Sequence, residues 1–375
     1  MKSFPGRLAL QQRVLPGYRV PFFDLLARSC AGGLSLFAGQ PRPEESIAVG
    51  EPQVANRVHA QNVHLFGGTL YLCYQRGLVR WLLDCDPDAL IVEANPRYLS
   101  TPAAVRWMHQ HDRPVLGWGL GSPPIHGFFG GMQKQRWLGF VRQFDGLLAY
   151  SQRGAEEYAT LGFPRERIFV AYNSVSPAPS APPERRPAGS SRPTVLFVGR
   201  LQRRKRVDRL LKACAGSGAR PRLVIVGDGP EREALEALAE VEYPEAEFAG
   251  ARHGEELRPY FAEADLFVLP GTGGLAVQEA MSAGLPVIVA KGDGTQDDLV
   301  REGNGWQVSP DDFEGLVNTL REALSDLPRL RRMGAESYRI VAEEINLEKM
   351  AEAFVDALGV VTPEKRHAEN ADEAD

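Results

Sequence analysis

The chain reads as an α/β protein made of two doubly wound domains. Three observations predict this. Short apolar runs alternate with amphipathic stretches almost to the end, the pattern of parallel sheets with helices on both faces. A proline-rich break at 177–193 (PAPSAPPERRPAGSSRP) interrupts that rhythm near the middle, and prolines at this density hold neither a helix nor a central strand. The length, 375 residues, favours two domains over one.

In the first half, strands are expected at 8–14, 34–38, 63–66, 89–93, 115–118, 146–150 and 168–170. Helical periodicity is expected at 18–29, 72–84, 101–111 and 133–144. After the break the rhythm restarts with greater regularity. Strands are expected at 194–198, 223–226, 246–249, 266–269 and 287–290, and helices at 207–215, 231–239, 257–263, 275–283, 312–325, 327–343 and 348–358. The boundaries expected are a first domain 1–176, a linker 177–193 and a second domain 194–345. A last helix 346–361 packs back on the first domain, and the polar tail 362–375 reads as disordered.

Bulk composition excludes several classes. No run is long or apolar enough to span a bilayer, and the N-terminus MKSFPGRLALQQRVLPG does not read as a signal peptide. The four cysteines, Cys30, Cys73, Cys85 and Cys214, form no C-x-x-C pair, so neither a zinc site nor a redox motif is indicated, and a cytoplasmic setting fits. The net charge of −5 hides an asymmetry: residues 1–180 hold 18 Lys+Arg against 13 Asp+Glu, and the remainder 25 against 35. A mildly basic first half suits an anionic partner, such as the inner membrane face or a pyrophosphate-linked acceptor, and equally a chance spread of surface charge. No basic and aromatic stripe points to nucleic acid.

The most informative stretch is 269–289, LPGTGGLAVQEAMSAGLPVIV. A strand ends at Pro270, a bare-backbone turn of Gly271, Thr272, Gly273 and Gly274 follows, and a helix begins at Leu275. Such a turn aims unpaired N–H groups at one point and suits an anion. Glu279, one turn into the helix, is an acceptor-only carboxylate able to grip two neighbouring hydroxyls. Diphosphate donors beside a diol gripper suit a nucleotide sugar, although a plain glycine-rich turn is the ordinary alternative.

Upstream, Gly199 and Arg200 end the first strand of the second half, and Lys205 lies five residues on (VLFVGRLQRRKRVDRLLKA). A guanidinium fork and an ammonium at a strand exit suit a pyrophosphate. A solvated basic loop accounts equally well for the spacing. The turn at Gly227 (GDGP) reads first as a tight turn with Pro230 opening a helix.

These pieces in order, GRL…K, IVGDGPE, ADLFVLPG…GGLAVQEAMSAGLPVI, GDG…LV and NGWQV, resemble the C-terminal domain of the retaining GT-B glycosyltransferases of family 4 over about 194–311. The resemblance implies a GT-B fold, two Rossmann-like doubly wound domains with an interdomain cleft. It implies transfer of a sugar from a nucleotide-diphosphate sugar, as co-substrate, to an acceptor hydroxyl with retention of configuration. It also implies roles: Arg200 and Lys205 on the donor diphosphate, Glu279 on the ribose, and Gly273, Gly274 and Leu275 on the phosphates. Gly199, Gly227, Arg252 and Gly294 stand on the donor side, and Gly17 faces the phosphates from the first half.

The chain departs from the family twice. Gly271 stands where the first glutamate of E-x7-E is expected, and Leu120 stands where the family has a histidine, leaving His126 as a substitute catalytic candidate. Arg19, Glu93, Asn95 and Arg97, at strand ends of the first half, are candidates for the acceptor side, and Ser100 is expected to cap the helix after them. The acceptor expected is a sugar, a lipid-linked molecule or a small metabolite. No cofactor or metal is expected to be obligatory, because no D-x-D-like acidic cluster precedes a strand end. The helix 132–144 carries Trp137, Phe140, Val141 and Phe144 on one face with Lys134, Arg136 and Arg142 elsewhere. Core packing explains that face, and peripheral membrane contact is the other reading. Two other functions keep the same fold: a nucleotide-sugar-binding scaffold that has lost transfer, and a nucleotide-sugar epimerase.

Overall fold

The computed structural model describes residues 2–362 apart from 46, 69–70, 123–129, 184–191, 274 and 293. The chain forms two compact units, Met1–Val175 with Leu347–Asp375, and Ser176–Asn346.

The first unit is built on a seven-stranded sheet. Its strands are β1 (Leu8–Val14), β2 (Leu34–Gly39), β3 (Asn56–His59), β6 (Ala89–Glu93), β7 (Val115–Gly119), β8 (Gly146–Ala149) and β9 (Ile168–Val170). They lie in the order β3-β2-β1-β6-β7-β8-β9, all neighbours parallel. Parallel strands covered on both faces need continuous apolar runs, and β6 (ALIVE) and β8 (GLLA) supply them. β1 (LALQQRV) breaks the rule with Gln11 and Gln12, both buried.

Those glutamines explain a segment whose secondary structure the pattern misassigned. Residues 72–84 read as one helix, but the chain forms a strand, β5 (Leu72–Arg76), and then a helix, Leu78–Cys85, with Gly77 at φ +81° between them. β5 pairs antiparallel with β4 (Gln61–Leu65), which therefore leaves the main sheet. Buried Gln75 of β5 accepts from Gln11 Nε2 at 2.5 Å and donates to the Gln12 carbonyl at 3.1 Å and to Asn62 Oδ1 at 2.9 Å. The hairpin is thus pinned to the end of β1 by the polar groups that β1 buries, which keeps them satisfied.

The helix Gln152–Leu161 was absent from the sequence pattern, although its stops are legible: the Ser151 hydroxyl accepts from Gly154 N, and Gly162 ends it at φ +102°. The last helix, Leu347–Val361, belongs to the first unit. Its Phe354 meets Phe22 and Trp118 edge-on, with ring centroids 5.0 and 5.1 Å apart.

The second unit is a six-stranded parallel sheet: β10 (Thr194–Val198), β11 (Arg222–Val226), β12 (Glu247–Gly250), β13 (Leu266–Leu269), β14 (Val287–Ala290) and β15 (Gly305–Val308). The order is β12-β11-β10-β13-β14-β15. It reverses between β10 and β13, and at such a point open α/β sheets bind ligands beyond the carboxyl ends of their strands. The pattern missed β15, at one edge of this sheet, and the short helix Thr295–Leu299 that precedes it. Among the described residues no helix is long and apolar enough to cross a membrane.

Candidate functional site

Beyond β10 and β13 the second unit gathers several of the residues singled out in the sequence. Lys205 sits in a one-turn 3-10 helix, Arg203–Lys205, and is buried. Its Nζ donates to the carbonyls of Thr272 and Gly273, at 3.0 and 2.7 Å. Burial, with the charge of neighbouring Arg204, pushes its pKa down to about 8. No carboxylate is paired with this ammonium in any hydrogen bond or ion pair among the described residues. A buried cation held only by carbonyls is short of negative charge, and an arriving phosphate would supply it.

The loop is moulded to the lysine. A Cβ on Gly271 would stand 2.1 Å from the Arg204 carbonyl oxygen and 2.5 Å from Lys205 Cα. The Thr272 N–H donates to that same Arg204 carbonyl at 3.0 Å. Position 271 therefore excludes any side chain, so the missing family glutamate reflects backbone packing. Gly273 has φ +66°, and a Cβ there would lie 3.3 Å from the Arg204 guanidinium. Arg204 was passed over as one of several solvated arginines, yet its side chain borders the loop.

Arg200 follows β10, is exposed, and makes no hydrogen bond or ion pair among the described residues. Gly199 and Gly227 are brought together by packing: a Cβ on Gly227, at φ +148°, would fall 1.9 Å from the Gly199 carbonyl. The bare backbone at 227 therefore serves this loop-on-loop contact, which accounts for the glycine without a ligand. Leu275 is half-buried and is the N-cap of the seven-residue helix Ala276–Ser282. Gly294 is the N-cap of Thr295–Leu299, at φ +94°. His126 and Gly274 lie outside the described residues.

Glu279 is half-buried in the helix Ala276–Ser282, and burial raises its pKa against the opposing charge of His253. It opens on a cavity of about 710 Å³ lined also by Gly254, Leu257, Phe261 and residues 180–183. His253 is a neighbour that sequence reasoning missed; its one signal was its place just after a strand end. Arg252 is exposed, and its guanidinium turns back to the Ala251 carbonyl at 3.0 Å. Nothing among the described residues joins it to Glu279 or Lys205.

The first-half candidates lie in the first unit. The Gly17 N–H is spent on the Ala48 carbonyl at 2.9 Å. Arg19 is 5% exposed, donates to Asn173 Oδ1, and lies over the rings of Trp118, Tyr18 and Tyr150, 5.1–5.6 Å from their centroids. Glu93 ends β6 half-buried and accepts the Arg13 N–H at 2.5 Å. Burial pushes its carboxyl up to about 7, against that hydrogen bond and the charges of Arg13 and Arg19.

Asn95 is committed to a local turn, accepting the Arg97 N–H at 3.1 Å, and Arg97 is exposed. Ser100 does not cap its helix. Its hydroxyl accepts from Gln75 N at 2.7 Å and donates to Gln75 O at 3.1 Å, tying down β5. The pull of a buried strand outweighs a helix end already met by other groups.

Two parallel-sheet units of this topology define a GT-B protein. The Anabaena HepE in complex with UDP is similar in fold, with a TM-score of 0.68 at 17% identity over 96% of this chain and 100% of that one. So is the lipopolysaccharide outer core galactosyltransferase WaaB, with a TM-score of 0.67 at 17% identity over 94% and 99%. Residues 183–340, within the second unit, match the family described as glycosyl transferases group 1.

A GDP-mannose-dependent alpha-mannosyltransferase of Mycobacterium tuberculosis is 38% identical over 205 residues, 53% of this chain and 52% of that protein. The lipopolysaccharide core glycosyltransferase LpsE of Rhizobium meliloti is 24% identical over 74% of this chain and 87% of its own length. The chain thus spans about half the length of the mycobacterial relative it matches.

Proposed function

We propose that this protein is a glycosyltransferase that moves a sugar from a nucleotide-diphosphate sugar to an acceptor hydroxyl with retention of configuration. The observation that carries the reading is Lys205, a buried ammonium held by two loop carbonyls with no carboxylate paired to it among the described residues. In this reading the diphosphate replaces the missing counter-charge. Lys205 and Arg200 then stabilise the charge that grows on it as the bond from the anomeric carbon to the phosphate oxygen breaks. The acceptor oxygen bonds to that carbon, and the departing phosphate takes the hydroxyl proton, so no strong side-chain base is required. Glu279 holds the ribose hydroxyls.

The donor is drawn from the GDP- and UDP-sugars that the names of relatives and structural neighbours print. The acceptor is a sugar, a lipid-linked molecule or a small metabolite in glycan or lipopolysaccharide synthesis. A peripheral contact with the inner membrane face through the first unit belongs to the same reading. The helix Gly130–Val141, which buries Leu138 and Val141, exposes Met132, Lys134 and Arg136 in its support.

The test is incubation with GDP-mannose, UDP-glucose and UDP-galactose, with and without simple sugar acceptors, following nucleotide release and the anomeric configuration of product by NMR. Acceptor-dependent release with a retained α-linkage is expected. Nucleotide binding with no release would favour a binding-only protein, the reading that Gly271 supports. An isomerised sugar formed from donor alone would instead mark an epimerase.

A further inference from the structure

The outer edge of the second unit carries a cleft that the donor reading does not use. β15 is the last strand of its sheet, separated from β13 by β14, and among the described residues no strand lies beyond it. A cavity of about 690 Å³ opens there, lined by Trp306 and Gln307 of β15 and by Lys291, Asp297, Glu302 and Arg329 among others. That volume falls inside the roughly 300–1,000 Å³ range of small-ligand sites. Trp306 is half-buried, and its indole N–H makes no hydrogen bond among the described residues. The Arg329 guanidinium lies 5.4 Å from the ring centroid and is itself paired with Glu322 at 2.7 Å, so the ring is held in place before any ligand arrives. Gln307 is fixed too. Its Nε2 donates to the Val300 carbonyl at 2.8 Å, which leaves its amide oxygen able to accept.

Charge decides the ligand class. The two guanidiniums at the cleft are neutralised, Arg329 by Glu322 and Arg301 by Glu344, each at 2.7 Å. The Lys291 ammonium and the Asp297 and Glu302 carboxylates are exposed, and their side chains make no hydrogen bond or ion pair among the described residues. Free charges of both signs therefore line the cleft, and neither a phosphate nor a cation is selected. A neutral saccharide uses all of these groups. Its hydroxyls donate to the carboxylates and the Gln307 oxygen and accept from the ammonium and the indole N–H, while its C–H groups lie against the indole. We propose that this cleft is a carbohydrate-binding site of the second unit, separate from the donor pocket, and that it takes a short neutral oligosaccharide with Trp306 as its platform. Within the reaction proposed above, on which this use alone rests, the site keeps a glycan chain on the enzyme between transfers and raises its local concentration.

The experiment is calorimetric and ligand-detected NMR titration of the full chain with maltotriose, with mannotriose and, as a charged contrast, with trigalacturonate. The proteins are wild type, Trp306→Ala, Trp306→Phe and the double variant Asp297→Ala with Glu302→Ala. GDP affinity is measured on each, and circular dichroism checks folding. Wild type should bind at least one of the two neutral trisaccharides saturably. Trp306→Ala should lose that affinity by at least about tenfold, and Trp306→Phe, which keeps an aromatic face, should retain most of it. The double variant, altered only at exposed carboxylates, should lose about tenfold. GDP affinity should be unchanged in every variant.

Wild-type saccharide affinity in folded Trp306→Ala overturns the proposal, and so does wild-type affinity in the double variant. Binding of trigalacturonate alone, or no saturable binding of either neutral trisaccharide by wild type, overturns it as well. Failure of wild type to bind GDP would instead sink the donor reading and leave the saccharide result standing.

Discussion

The Lys205 ammonium donates to the Gly273 carbonyl at 2.7 Å, across 68 residues of sequence. That bond ties the basic turn after β10 to the glycine loop after β13 and makes them one surface. It also leaves a charge buried without an anion. Because the folded pKa of about 8 lies below the ordinary 10.5, the unfolded chain binds more protons between those values. The group therefore destabilises the ligand-free fold at neutral pH, and that cost fades as pH rises through the window.

A diphosphate that needs the charged lysine should reverse this preference. Nucleoside diphosphate affinity is expected to fall as pH rises above about 8, and binding at pH 8.5 should take up a proton. Calorimetry in buffers of different ionisation enthalpy measures the uptake directly. Proton release, or none, would mean that Lys205 does not meet the ligand.

Gly271→Ala is expected to destabilise the second unit by about 1–3 kcal/mol, because its new Cβ meets backbone on both sides. Thermal unfolding should show a drop of several degrees. Gly271→Glu should be at least as damaging and should weaken nucleotide binding by displacing Lys205. A stable Gly271→Glu protein with normal affinity would show that the turn at 203–205 moves freely.

Glu279→Ala should weaken UDP and GDP binding by about tenfold, the loss of a charge-assisted pair. The same substitution should leave the affinity for 2′,3′-dideoxy nucleotides nearly unchanged, since both hydroxyl partners are already gone. Additive losses would place Glu279 away from the ribose.

Phe354→Ala should cost about 3–5 kcal/mol in the first unit, where the ring closes a cluster with Phe22 and Trp118. A chain ending at Asn346 should lose the first unit's cooperative unfolding while the second unit's transition persists. Differential scanning calorimetry of both proteins reads the two transitions. An unchanged first-unit transition would show that this helix is peripheral.

Much of this fold is written in local pattern. Three central strands of the second unit, β10, β13 and β14, are fully buried, largely apolar runs, and they were located to the residue. What pattern could not show was set by distant partners. β5 is a strand because buried Gln75 satisfies Gln11 and Gln12, more than 60 residues away. Ser100 left its helix cap for the same strand. At the site, the residue types at 200, 205 and 279 suggested their chemistry. That Gly271 is bare because Arg204 and Lys205 press on it is a tertiary fact. Arg204 and His253 were overlooked because nothing in their own neighbourhoods distinguishes them from solvated charge.

The most direct test of the central claim is calorimetric titration of GDP and UDP into wild type, Lys205→Met and Arg200→Ala. At least one nucleotide should bind wild type, and Lys205→Met, which fills the same buried space without charge, should lose that affinity by at least about tenfold with its thermal stability maintained or raised. Equal affinity in wild type and Lys205→Met would contradict the account: the buried ammonium would then be a structural clip for the 272–273 loop and not the seat of a diphosphate.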